Sequence, residues 1–259
     1  MSRHLLAAFA FYACASVVAH AQDGDWRAPF ISTPQDVVER MLRLAETGPD
    51  DLVVDLGSGD GRIVITAAQR FGARGLGIDF DARLVAKSRD NAREAGVADK
   101  VRFVEDDVLR ADISQASVVT VYLLPDLIWK LQPRFISELQ PGTRIVSHAF
   151  QMSGWQPDRA ETLRVESPHP GQGATSTLYL WIVPANARGT WRSGEERIRI
   201  DQNYQDIDGA GTSDAAIRGR EISWQSAHGR FRGRVEGERI VGRVDDSSGS
   251  RAVTYVRER

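Results

Sequence analysis

The chain has 259 residues, 42% of them hydrophobic and 26% charged, with a formal net charge of −2. That mixture speaks against a chain dominated by disorder and suits a globular protein of one large domain, or an ordinary domain with a small companion. The near-neutral charge gives no general affinity for nucleic acid or anionic lipid, and a single cysteine, Cys14, rules out a disulfide framework and a thiolate zinc site.

In chain order, the first segment reads MSRHLLAAFAFYACASVVAHAQ. A short basic start, an apolar stretch from Leu5 to Val18 and small residues at Ala19 and Ala21 form the three-part pattern of a secretory signal, with cleavage expected after Ala21. The apolar run is shorter than the roughly 20 residues that cross a bilayer, so no stable membrane span is expected after cleavage. A lipid-modified Cys14 is a weaker alternative, because no leucine stands three residues before it. Removing residues 1–21 takes Arg3 and no acid, leaving 32 Lys and Arg against 35 Asp and Glu. The expectation is an exported, periplasmic product.

From residue 22 to about 185, apolar strand-like runs alternate with amphipathic helical stretches, the pattern of an α/β domain on a largely parallel sheet. Expected strands are Leu52–Leu56, Gly75–Asp79, Val101–Val104, Val118–Leu123, Arg144–His148 and Leu178–Val183. Thr33 before Pro34 reads as a cap followed by proline at the first helical position, with Val37, Val38, Met41 and Leu42 on one face. Asp81 reads as the cap of a second helix that stops at Gly96.

The stretch VVDLGSGDGR, residues 53–62, places Gly57, Gly59 and Gly61 between a strand and a helix. Such a turn aims backbone N–H groups and the positive helix end at a ligand, and glycine permits backbone angles and close approaches that side chains obstruct. Two ligand classes use this arrangement, dinucleotides and S-adenosylmethionine. Dinucleotide folds favour G-x-G-x-x-G around a pyrophosphate. Here the spacing is G-x-G-x-G, and Asp55 stands where its charge would oppose a pyrophosphate but favour the ammonium and sulfonium of S-adenosylmethionine.

Two more acids fall at the ends of the following strands. Asp79 can accept ribose hydroxyls, and Asp107 can accept the adenine amino group while Val108 packs on the ring. Either alone reads equally well as a cap or turn acid. Together they lie outside the carboxyl ends of consecutive strands, where ligands of open α/β sheets bind. On the acceptor side the candidates are Thr33 and Pro34, Tyr122 and Pro125 after the fourth strand, and His148 at the end of the fifth. Thr33 and Pro34 are also explained by capping, and Tyr122 by a strand aromatic. His148 could be a general base near neutral pH or a hydrogen-bonded structural histidine. His169 and His228 show no ligand-like spacing, so no metal site is expected.

From about residue 186 to 259 the chain has no lysine, 14 arginines against 12 acids, and short alternating segments separated by glycines. This reads as a small antiparallel β domain, open sheet or barrel, whose arginines form a solvated, charge-balanced face. The repeated glycine-arginine starts at Gly219, Gly233 and Gly242 suggest one hairpin unit used several times.

The segments DLGSGDGR, GLGIDFD and VRFVEDD resemble the cofactor motifs of class I S-adenosylmethionine-dependent methyltransferases. With ISTPQDVVERML and VYLLPDL added, the chain is similar to a bacterial group distantly related to protein-lysine methyltransferases of the ATP synthase c-subunit type. The resemblance implies a Rossmann-like seven-stranded sheet with a reversed final hairpin over residues 22–185. It implies S-adenosylmethionine as cofactor, with Asp55, Gly57, Ser58, Gly59 and Gly61 on its methionine part, Asp79 on the ribose, and Asp107 and Val108 on the adenine. An Asn or Asp followed by Pro-Pro and an aromatic is common in amino-directed members; here the stretch is Tyr122, Leu123, Leu124, Pro125. The expected activity is in-line methyl transfer to an unidentified acceptor, a protein lysine or a small amine. The alternatives are a non-catalytic sensor or scaffold binding the same cofactor in the cell envelope and, further off, a nicotinamide-dependent oxidoreductase.

Overall fold

The computed structural model describes residues 31–168, 173–209 and 211–258. The expected signal at residues 1–21, Cys14 and His169 lie outside the described residues.

Apolar runs at residues 52–56, 74–79, 101–105, 118–121 and 144–148 form five parallel strands, β1 (Leu52–Leu56), β2 (Arg74–Asp79), β3 (Val101–Glu105), β4 (Val118–Val121) and β5 (Arg144–His148). A hairpin of β6 (Arg159–Arg164) and β7 (Thr175–Ile182) completes the sheet in the order β3-β2-β1-β4-β5-β7-β6, with β7 antiparallel to both neighbours. The reversed hairpin agrees with the expectation, but β6 went unread. Its sequence, RAETLR, is a mostly exposed edge strand, and charged edges hide the apolar alternation that marks a strand while protecting the sheet from further pairing. The fourth strand also stops at Val121 rather than Leu123, because Leu124 caps the next helix and Pro125 is its first residue.

Because side chains alternate across a strand, neighbours such as Val53 and Val54 feed opposite layers. Helices α1 (Gln35–Leu44), α2 (Arg62–Phe71) and α3 (Ala82–Glu94) cover one face through Val37, Met41, Val64 and Val85. Helix α4 (Pro125–Glu138) covers the other through Ile128, Leu131 and Phe135. Asp81 caps α3 as expected, accepting from the Arg83 N–H.

Thr33 requires a correction. The first hydrogen bond of α1 runs from Val38 N to Pro34 O at 2.9 Å, so Pro34 is the cap and the helix starts at Gln35. The Thr33 hydroxyl faces His148 and its carbonyl accepts from Arg62, which leaves neither group for the helix end.

The carboxyl-terminal part is a separate eight-stranded antiparallel sheet, β8 (Gly189–Ser193), β9 (Glu196–Asn203), β10 (Asp206–Gly209), β11 (Thr212–Arg218), β12 (Glu221–Ser226), β13 (Gly229–Glu236), β14 (Arg239–Asp246) and β15 (Gly249–Arg257). Two-residue turns join the successive strands other than β10 and β11, and β15 returns to pair with β8. The order β10-β9-β8-β15-β14-β13-β12-β11 makes its two edge strands consecutive in the chain, as in a meander curling back on itself. Trp191, Trp224, Phe231 and Tyr255 fill its core. The glycines expected to repeat one unit are not equivalent. Gly219 is a turn residue at φ 57°, whereas Gly233 and Gly242 face each other in β13 and β14. A Cβ on either would come within 2.6–2.7 Å of Phe231 Cζ, so the pair makes room for that ring, on which Trp224 stacks at 4.1 Å.

One aromatic joins the two sheets. Tyr204, in the turn between β9 and β10, stacks on Trp155 at 4.9 Å and 4°, and its hydroxyl accepts from Gln132 Nε2 of α4 at 2.7 Å. Tyr204 also holds φ 54°, a costly conformation for a bulky residue, which this packing offsets. Tyr204→Ala is expected to lose about 1–3 kcal/mol of stability through the stack and the hydrogen bond. Tyr204→Phe should lose only the hydrogen bond, about 1 kcal/mol. Thermal unfolding of both variants checks this; equal losses would mean that the stack contributes nothing.

Candidate active site

The sheet order reverses between β1 and β4, and a crevice opens at such a switch point outside the carboxyl ends of the strands. Asp55 stands there on β1, 2% exposed, opposite Thr120 of β4. Thr120 Oγ1 donates to Asp55 Oδ1 at 2.7 Å. Burial pushes the Asp55 pKa up to about 7; the Thr120 bond works against this, and the charges of Asp79 and Asp60 reinforce it. A carboxyl group so placed gains most from a cation arriving in the crevice.

Gly57 N and Ser58 N both donate to Ile78 O, at 2.9 and 3.0 Å, which pins the glycine turn to β2. Gly57 holds φ 79°, and a Cβ there would stand 2.7 Å from Leu123 Cδ2. Gly61 holds φ 81° at the head of α2, where a Cβ would strike Phe103 and Ser88. The turn therefore stays free of side chains at its three glycines. Ser58 is buried, and its hydroxyl lies beside Gly77, 2.7 Å from where a Cβ would stand.

Asp79 ends β2 and is 5% exposed. Gly59 N donates to its Oδ2 at 2.8 Å and Asp81 N to its Oδ1 at 3.0 Å, fixing the carboxylate with lone pairs left for a pair of hydroxyls. Asp107 lies past β3, half exposed, with Oδ1 accepting from Leu109 N at 2.9 Å. Val108 beside it is half-buried, and the turn is clasped by Arg134 of α4, which donates to Val108 O and Ala111 O. Sequence reasoning missed that clasp. It also missed Phe80, a 47% exposed ring directly after Asp79, although an aromatic next to a ribose-side acid is a readable signal.

The acceptor-side residues assemble at the ends of β4, β5 and β7. His148 is 1% exposed; its Nε2 lies 3.0 Å from Ser176 Oγ and its Nδ1 3.4 Å from Thr33 Oγ1. Burial lowers its pKa to about 4, so the ring is neutral near pH 7 and only weakly basic, which favours the hydrogen-bonded structural histidine of the two readings over the general base. Tyr122 lies against that ring, its centroid 4.1 Å away and its plane tilted by 32°, and Phe150 lies 6.3 Å from Tyr122. Burial also raises the Tyr122 pKa, keeping the phenol protonated. Ala149, between His148 and Phe150, takes φ 69° in a turn closed by Phe150 N to His148 O at 3.0 Å. This strained three-residue turn aims Phe150 along the site edge. Pro125 is half-buried at the start of α4, and Pro34 is buried beside Thr33. Neither Ser176 nor Phe150 was legible, because each gains meaning only from the fold.

Arg62 couples the two halves. It holds both oxygens of Asp60, at 2.9 and 2.6 Å, and donates to Thr33 O at 2.8 Å. Burial pushes the Asp60 pKa up, but Arg62 outweighs it and keeps the group ionised. The residues fit S-adenosylmethionine: an acid poised for a cation, an unobstructed turn, a fixed carboxylate for the ribose and a ring beside it. Among the described residues, no cluster of three or more His, Cys, Asp or Glu could hold a metal.

A family profile described as the ANTKMT methyltransferase domain matches residues 55–159, spanning the glycine turn, Asp79, Asp107, Tyr122 and His148. A protein-lysine N-methyltransferase of Saccharolobus islandicus (strain REY15A) is 38% identical over 156 residues, 60% of this chain and 93% of that protein. The lysine N-methyltransferase of the ATP synthase c-subunit from Mus musculus is 34% identical over 132 residues, and the chain spans about half of it, 52%. The solved structure of an RNA methyltransferase from Salinibacter ruber, in complex with S-adenosyl-L-homocysteine, is 51% identical with a TM-score of 0.53, covering 59% of this chain and 93% of that one.

The raised Asp55 pKa sets a sign. The folded state holds this proton more tightly than the unfolded chain, so the stabilisation is complete below about pH 4 and is lost as pH rises through about 7. Relative to Asp55→Asn, the wild-type protein is therefore expected to lose stability between pH 4 and 8, and saturating S-adenosylmethionine should flatten that loss. Thermal melts across this range check it; parallel pH profiles for the two proteins would contradict the burial argument.

Proposed function

We propose that this chain, which belongs to the class I S-adenosylmethionine-dependent methyltransferases in the group that includes protein-lysine methyltransferases, methylates the ε-amino group of a lysine in a protein. The observation that carries the reading is the aromatic and neutral lining of the acceptor edge, where Tyr122, the uncharged His148 and Phe150 stand together. Such walls accept an alkylamine, and desolvation there favours its neutral, nucleophilic form over the ammonium. Two of the similar proteins are named lysine N-methyltransferases, which supports this acceptor, whereas the Salinibacter ruber structure is titled an RNA methyltransferase, so RNA is the acceptor the test must separate.

S-adenosylmethionine supplies, when bound, a methyl carbon on a sulfonium open to in-line attack. Asp55 and the glycine turn would hold its cationic methionine part, Ser58 would close the turn, Asp79 would hold the ribose, and Phe80, Asp107 and Val108 would enclose the adenine. The acceptor nitrogen would take that methyl group and release a proton to water. The chain's task is orientation rather than covalent catalysis. Tyr122 and Phe150 would align the amine, while His148 acts as a positioning residue that fixes Thr33, Ser176 and the Tyr122 ring. The supporting sheet suggests a division near residue 185, with a catalytic part before it and the β domain after. Export before action is part of the same proposal and rests on the amino-terminal pattern.

The direct test is incubation of purified protein with methyl-labelled S-adenosylmethionine and cell-envelope extract, followed by mass spectrometry of labelled proteins. Methyllysine in a discrete band is expected and should vanish with Asp79→Ala. Label entering RNA, or no protein label in any fraction, would overturn the lysine reading. His148→Gln is expected to lower kcat/KM about tenfold without moving the pH–rate profile, because the imidazole is already neutral above about pH 4. A profile that lost its acidic limb in this variant would make His148 the base.

A further inference from the structure

Helix α4 buries the apolar side chains Leu127, Ile128, Leu131 and Phe135 and, among them, one amide, Gln132. Gln132 is 6% exposed, and every hydrogen-bonding atom of its side chain is engaged. Its Oε1 accepts from Ser153 N at 3.1 Å, while its Nε2 donates to Ser153 O at 2.8 Å and to the Tyr204 hydroxyl at 2.7 Å. Both amide protons are thus used, and the Tyr204 bond leaves the group a single orientation. Gln132 holds the Ser153 backbone at its N–H and its carbonyl together, as a neighbouring strand would.

Ser153 lies in the loop 149–158, three residues past Phe150, which is at most about 10 Å of chain. The loop is anchored further along as well. Trp155 meets both Tyr204 and Trp181, its carbonyl accepting from Trp181 Nε1 at 2.9 Å, and Gln156 O accepts from Gln205 Nε2 at 2.6 Å. Two of the residues that reach this loop, Tyr204 and Gln205, come from the turn between β9 and β10 of the β domain. The near end of the loop is the Ala149 turn, and a φ of 69° at a residue with a Cβ persists only where its surroundings over-determine it.

Adhesion between the two parts would be served by a leucine at position 132, because a buried amide is costly unless its bonds are made. What the amide adds is direction, a two-point grip on one peptide unit of the loop that carries Phe150. We propose that Gln132, oriented by Tyr204, is a positioning residue for methyl transfer, fixing the loop so that Phe150 keeps its place beside Tyr122. This rests on the acceptor edge of the proposed site and extends the reaction's support to the β domain. The cofactor side should be spared by loss of the grip, because the bonds that fix the glycine turn and Asp79 come from β2, the turn itself and Asp81.

The test uses the full chain as wild type, Gln132→Leu, which keeps the bulk and removes the amide, and Tyr204→Phe. Methyl transfer from labelled S-adenosylmethionine to cell-envelope protein is measured, and each rate is referred to the cofactor-binding sites counted by calorimetry, so that unfolded protein is left out. Gln132→Leu should lower the per-site rate about tenfold and Tyr204→Phe about threefold, with cofactor affinity within about twofold of wild type. Amide hydrogen exchange read by NMR supplies the second measurement. Ser153 N loses its acceptor in Gln132→Leu and exchanges faster in any case. The Phe150 amide, bonded to His148 O, is the informative one and should exchange at least about fivefold faster, with the Gly57 and Ser58 amides unchanged. A per-site rate equal to wild type overturns the positioning role, and so does an unchanged Phe150 amide. Cofactor affinity falling in step with the rate also overturns it, since the loss would then be a general loosening. If the wild type labels RNA in place of protein, the lysine reading fails, and the same tenfold per-site loss on RNA supports the positioning role. If the wild type labels neither, both fail.

Discussion

The structure is organised around one buried carboxyl group. Asp55 lies in the crevice where the strand order reverses, and it has a single side-chain hydrogen bond, from Thr120. Burial without an opposite charge is expensive, and the chain meets the cost by letting the group hold its proton until about pH 7. A structural role alone would be served as well by an uncharged residue. The acid makes physical sense as half of an ion pair completed by a cationic ligand, and the surrounding features follow from that. The glycines keep side chains out of the space, Ile78 O anchors the turn, and Asp79 is fixed by backbone N–H groups beside it.

The second consequence is a link between the two sides of the crevice. Arg62 leaves the glycine turn, pairs with Asp60 and reaches the carbonyl of Thr33, whose hydroxyl meets His148. His148 in turn meets Ser176 on the reversed hairpin and carries the Tyr122 ring. The glycine turn is therefore joined to the acceptor edge by a continuous chain of contacts through Arg62, Thr33 and His148. A neutral imidazole suits this position, because a charged one would repel the ammonium or sulfonium expected nearby.

What could be read in advance was what is local. Asp55, Asp79 and Asp107 each lie within two residues of the carboxyl end of an apolar strand, so their shared edge follows from strand direction alone. Thr33 misled because a threonine before a proline is a good cap in isolation; only the fold brings His148 and Arg62 to compete for it. Strand β6 was hidden by its charged, exposed sequence, and Ser176 and Phe150 had no motif to mark them. In the β domain the alternation was legible, but the return of β15 to β8 and the pairing of Gly233 with Gly242 around Phe231 depend on register, which no local pattern fixes.

The β domain makes sense as a support for α4. Tyr204 reaches from its second turn to Trp155 and Gln132, and the strain at its φ of 54° persists only because both contacts hold it. Arg134, further along the same helix as Gln132, clasps the carbonyls beside Asp107. Helix α4 thus receives the β domain on one flank and shapes the adenine-side turn from another, while its capped end forms the wall next to Tyr122. Interactions worth about 1 kcal/mol each cannot create a binding site, but they can hold a helix within the sub-ångström tolerance that in-line transfer demands. A second sheet without catalytic groups can therefore serve the reaction through the rigidity of the single helix that it grips.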